Sequence, residues 1–215
     1  MEQLEKKISY TTTNTYQTLN TLSETTKNIW IVLHGIGYLS KYFLKYFKEL
    51  APLENYIIAP QAPSKYYLNN KYTHVGASWL TKEHTALETK NIISYLEGVL
   101  DNEKILTTHH LIIFGFSQGV SIATRWVIQT KIKCHQLVLY AGSIPNEITK
   151  EDCGFLQQNH TKITIIIGDK DQYITAERMQ TEKEKIQQLF NGNAELISFN
   201  GGHEIVKELI HNLII

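Results

Sequence analysis

Short, uninterrupted apolar runs spread along the whole chain restrict its fold more than any other feature. Residues 29–33 read Ile-Trp-Ile-Val-Leu, and similar runs recur at 56–59, 111–114, 137–140, 163–167 and 196–199. A strand with one wet face alternates apolar and polar residues. A run without alternation suits a strand buried on both faces, as parallel strands covered by helices are. Helical patterns lie between the runs. Residues 40–50 place Phe43, Phe47 and Leu50 on one stripe, with Ser40 as the expected N-cap. Residues 85–100 open on Thr85 and Glu88 at capping-box spacing and align Ile92, Leu96 and Val99. Val120, Ala123, Thr124 and Val127 form a third stripe, and segments 176–189 and 205–213 complete the set. Strands alternating with helices predict an α/β fold with a mostly parallel central sheet and helices on both faces. The Thr- and Tyr-rich stretch 8–16 is expected to add an edge strand or hairpin.

The 215 residues are expected to form one domain, with 42% apolar residues and enough length to bury about 70% of the unfolded surface. Disordered and disulfide-scaffold classes are therefore excluded. Lys+Arg 21 against Asp+Glu 21 gives zero net charge, with no long block of one sign, which argues against a nucleic-acid binder. Cys134 and Cys153 share no CxxC spacing and are read as reduced structural thiols. The opening Met-Glu-Gln-Leu-Glu-Lys-Lys carries no apolar secretory segment, and no run approaches the roughly 18 residues of a membrane span. A cytoplasmic location is expected, with neither cofactor nor metal.

Two connections, 60–79 and 142–162, begin at the carboxyl ends of strands, where ligands sit in open α/β sheets. The first holds Tyr66, Tyr67, Tyr72, His74 and Trp79. From it, Trp79 and Tyr66 are expected to line a substrate site.

The densest chemical signal is Gly115-Phe116-Ser117-Gln118-Gly119, set between the run 111–114 and the helical stripe from Val120. A serine between two glycines on a strand-to-helix turn is a nucleophile elbow, and the glycines leave room for strand and helix to approach closely. Serine is weakly nucleophilic at neutral pH and needs a general base. His203 in Gly201-Gly202-His203, after the last apolar run, is the candidate. The run 163–167 leads into Gly168-Asp169-Lys170-Asp171, so both carboxylates are within reach of the histidine. Asp171 is preferred because, after a strand end and a short turn, the second of the two carboxylates can bend back under the ring, which would leave Asp169 to cap the turn. Oxyanion donors are expected from the backbone of Gln118 and of Ile36 in Leu33-His34-Gly35-Ile36-Gly37, with the identity of either side chain mattering little.

These residues resemble the phospholipase/carboxylesterase group of α/β-hydrolases, which includes acyl-protein thioesterases. The resemblance spans residues 29 to 205. It is carried by Leu33-His34-Gly35-Ile36-Gly37, Ala59-Pro60-Gln61-Ala62-Pro63, the elbow, Ser143-Ile144-Pro145, Gly168-Asp169-Lys170-Asp171 and Gly202-His203. It implies an α/β-hydrolase fold without a large cap domain, a triad of Ser117, Asp171 and His203, and donors at Ile36 and Gln118. Three departures bear on substrate: Val120 where thioesterase-type members carry Gly, Tyr38 where they carry Asp, and Gln172-Tyr173-Ile174-Thr175 where they read Pro-Val-Val-Pro. The expected activity is hydrolysis of small or medium acyl esters, a small-molecule substrate class. The alternatives are an acyl-protein thioesterase or lysophospholipase, and a non-catalytic binding protein on the same fold.

Overall fold

The computed structural model describes residues 3–105, 108–174 and 176–213. Its strands are β1 (Tyr16–Leu19), β2 (Asn28–Leu33), β3 (Asn55–Pro60), β4 (Ser64–Tyr67), β5 (Val75–Ser78), β6 (His110–Phe116), β7 (Gln136–Tyr140), β8 (Lys162–Gly168) and β9 (Ala194–Phe199). The helices are α1 (Ser40–Phe43), α2 (Thr85–Glu103), α3 (Gln118–Thr130), α4 (Lys150–Gln158), α5 (Ala176–Phe190) and α6 (Lys207–His211). Seven strands form one sheet in the order β1-β3-β2-β6-β7-β8-β9. All its pairings are parallel except β1 with β3.

Why the runs do not alternate is visible in the two cores. Successive side chains of a strand point to opposite faces. Ile29, Ile31 and Leu33 join Ile113, Leu137 and Ile165 beneath Ile92 and Leu96 of α2 and Trp126 of α3. Trp30 and Val32 join Phe114, Val138 and Ile166 beneath Phe43, Phe47 and Ile210 on the other face. Every position of β2 is thus buried.

Local details depart from expectation. The edge strand is residues 16–19, and residues 3–15 form no regular element. Antiparallel pairing with β3, rather than β-propensity, decides which part of this Thr-rich stretch becomes strand. The segment 40–50 is a single turn of α-helix continued by a 3₁₀ turn at Leu44–Phe47. Leu39 is its N-cap, while Ser40 is buried with both its N–H and its hydroxyl donating to Gln61 Oε1. The Thr85/Glu88 capping box does not form. His84 caps α2 in the left-handed region, and the Thr85 hydroxyl donates to the Thr81 carbonyl instead. The reciprocal box is on α4, between Thr149 and Asp152. Connection 60–79 folds as the antiparallel hairpin β4–β5, and connection 142–162 contains α4.

Candidate active site

Ser117 sits between β6 and α3 with φ 53° and ψ −117°, a backbone state costing about 1–3 kcal/mol for a residue with a side chain. The Ser117 N–H donates to Tyr140 O at 2.8 Å, and the flanking glycines permit the turn. A Cβ at Gly119 would collide with the Leu33 carbonyl, and one at Gly115 with the Gly119 carbonyl.

The elements after β8 and β9 bring the other groups to the same sheet edge. His203 Nε2 lies 2.9 Å from Ser117 Oγ, and its Nδ1 lies 2.7 Å from Asp171 Oδ2. The Asp171 side chain is wholly buried, and its Oδ1 accepts the Tyr173 N–H at 2.9 Å. Asp169 instead accepts the Gly201 N–H at 3.1 Å and ties the two loops together. The imidazole is held between Phe116 and Tyr173, at ring-centroid distances of 5.2 and 4.7 Å.

Ile36 and Gln118 line the same groove as Ser117. Gly35 lies against Ser117, 3.0 Å separating the serine Cβ from the place a glycine Cβ would take. The groove encloses about 440 Å³, and Tyr38, Phe116, Tyr173 and Ile174 supply its apolar wall. Arg178 stands at its rim and donates to Tyr173 O and Ser143 Oγ, both at 2.8 Å. Sequence reasoning singled out Tyr38, Tyr173 and Ile174 as departures that bear on substrate and Phe116 as part of the elbow, but assigned none of them to a substrate wall. Phe116 and Tyr173, each within two positions of a triad candidate, were the findable ones.

Trp79 and Tyr66 do not line the groove. Trp79 is fully buried and its indole N–H donates to His34 O at 2.8 Å. Tyr66 is on the hairpin, with its hydroxyl beside Gly37. The hairpin instead pairs with the loop after β2, Gly37 N–H donating to Ala77 O at 2.8 Å and Ala77 N–H to Tyr38 O at 3.2 Å.

His34 is spent on structure. Its Nε2 accepts the Ala62 N–H at 3.1 Å, so Nδ1 carries the proton and donates to Gly35 O at 2.8 Å. Burial pushes this imidazole down to about 4, against an ordinary value near 6.5. The unfolded chain therefore takes up the proton first as pH falls, and stability is lost from about pH 6.5 down to 4, by roughly 1.4 kcal/mol per unit. Urea unfolding at pH 7 and pH 4.5 is expected to differ by an extra 2–3 kcal/mol or so in the parent relative to His34→Asn. Equal differences in the two proteins would exclude His34 as the source.

A serine at a strand-to-helix elbow, with its histidine and aspartate on loops after later strands of a mostly parallel sheet, defines an α/β-hydrolase. Residues 14–214 match the phospholipase/carboxylesterase family, and the chain belongs to that family of ester hydrolases. Comparison with curated proteins returns no match. Among solved structures the chain is similar in fold to acyl-protein thioesterase 2 of Zea mays, with TM-score 0.69 and 16% identity over 94% of this chain and 96% of that one. A phospholipase/carboxylesterase of Dyadobacter fermentans gives 0.64 and 18% over 95% and 97%. A Bacillus cereus carboxylesterase gives 0.63 and 17% over 94% and 95%. Among the described residues no helix is long and apolar enough to cross a membrane.

Proposed function

We propose that the protein is a serine carboxylic-ester hydrolase acting on small or medium acyl esters through an acyl-enzyme on Ser117. The observation that carries this reading is the unbroken hydrogen-bonded line from Ser117 Oγ through both ring nitrogens of His203 to the buried Asp171 carboxylate. With Nδ1–H donated to Asp171, Nε2 presents its lone pair to the serine hydroxyl. Attack of Oγ on the acyl carbon sends the hydroxyl proton to Nε2, and Asp171 stabilises the imidazolium. The carbonyl oxygen, now an oxyanion, accepts from the N–H groups of Ile36 and Gln118. Collapse expels the alkoxide, which takes the proton from Nε2, and water repeats the sequence on the acyl-enzyme. The volume and apolar wall of the groove favour short or medium acyl groups.

Fluorophosphonate labelling followed by a p-nitrophenyl ester series tests this. Ser117 is expected to be the labelled residue, with kcat/KM highest for short or medium chains. A rate climbing steadily to palmitoyl substrates would favour the thioesterase or lysophospholipase alternative. An unlabelled, inactive protein would leave the binding-protein reading.

A further inference from the structure

Donation by the Gln118 backbone predicts little role for its side chain, yet the carboxamide is the most heavily bonded side-chain group beside the elbow. Its Oε1 accepts the Trp79 N–H at 2.8 Å, and its Nε2 donates to Leu80 O at 2.7 Å and to Ser78 Oγ at 3.1 Å. The amide orientation follows from these partners, because a flipped group would set N–H against N–H and O against O. Gln118 thus meets residues 79 and 80 as a neighbouring peptide group would, accepting from one and donating to the other.

The same short segment holds the other expected oxyanion donor. Gly37 N–H donates to Ala77 O at 2.8 Å, Ala77 N–H donates to Tyr38 O at 3.2 Å, and the Trp79 indole N–H donates to His34 O at 2.8 Å. Gly76 lets this segment lie flat on the loop, since a Cβ there would strike the backbone of Gly37. Ile36 itself is 53% exposed, so its N–H is aimed by its anchored neighbours and hardly at all by packing of its own side chain. Residues 77–80 therefore touch the Ile36 loop on one side and the Gln118 carboxamide on the other.

We infer that the Gln118 side chain and residues 77–80 form a strut that sets the separation of the Ile36 and Gln118 N–H groups, which makes Gln118 a positioning residue through its side chain. The inference rests on the serine-esterase reading for its catalytic meaning. Oxyanion donors act only when 2.7–3.1 Å or so from the developing charge, so a loosened strut weakens transition-state binding and leaves substrate binding nearly intact.

Gln118→Met keeps the length of the side chain and removes its hydrogen bonds. It is expected to lower kcat about 10–100-fold, short of the ~10²–10³ for deleting a donor outright, with KM within about twofold. The inhibition constant of an alkyl trifluoromethyl ketone, whose adduct with serine bears the oxyanion, should rise in parallel with the loss of kcat/KM. Hydrogen exchange supplies a readout independent of turnover: the Gly37 amide, which donates to Ala77 O in the strut, should exchange faster in Gln118→Met. If that variant fails to fold, Ser78→Ala, which removes one partner of the carboxamide, should show the same changes at smaller size. A folded variant with parental kcat, ketone affinity and Gly37 exchange overturns the strut, even if its melting temperature falls. A parent inactive on every ester, whose Gly37 exchange still responds to the substitution, would refute the esterase reading and leave the strut standing.

Discussion

Ser117→Ala is expected to lower kcat for ester hydrolysis by about 10⁶-fold while leaving the protein folded, in line with the loss when a triad serine is deleted elsewhere. The hydroxyl is the oxygen that faces His203 Nε2 at 2.9 Å, and alanine puts no nucleophile in its place. Alanine meets the same backbone penalty as serine at φ 53°, and the Ser117 N–H bond to Tyr140 O is unaffected. Circular dichroism and the melting temperature should therefore stay close to the parent, and fluorophosphonate labelling should vanish. A residual rate above water would come from the oxyanion donors and substrate binding. A variant retaining more than a few per cent of kcat would exclude Ser117 as the nucleophile.

Asp171→Asn is expected to cost about 10⁴ in kcat, and Asp169→Asn less than about tenfold. The difference lies in the partners. Asp171 Oδ1 accepts the Tyr173 N–H while Oδ2 accepts from His203 Nδ1. An asparagine that keeps its oxygen on Tyr173 turns its NH₂ toward the ring. Nδ1 must then become the acceptor, the proton moves to Nε2, and the histidine can no longer receive the serine proton. Asp169 needs only an acceptor for the Gly201 N–H, and the asparagine carbonyl supplies one. Steady-state kinetics on the two purified variants decides the matter. A larger loss at position 169 would transfer the acid role there.

The α/β architecture and the elbow were legible in the sequence because both are written in residues close together along the chain. Unalternating runs such as 29–33 mean burial on both faces wherever the partner strands lie, and the two cores share out Ile29, Trp30 and Ile31 accordingly. Ser117 was legible because a positive-φ turn between strand and helix demands small neighbours, and Gly115 and Gly119 flank it. His203 stood out by its place after the last strand.

What tertiary structure alone decided involves segments far apart in the chain. Asp169 and Asp171 are both carboxylates just beyond one strand, and their separate tasks arise only when the loop of residues 200–203 folds against them. Trp79 and Tyr66 have the composition of a substrate wall. Pairing of Gly37 with Ala77 instead folds their connection against the loop after β2, where the Trp79 indole finds the His34 carbonyl. The side chain of Gln118 looked dispensable because its partners lie some forty positions earlier. Local propensity and pattern are set by neighbours in sequence, whereas a side chain's task depends on which distant backbone groups are left needing a hydrogen bond once the sheet has closed around them.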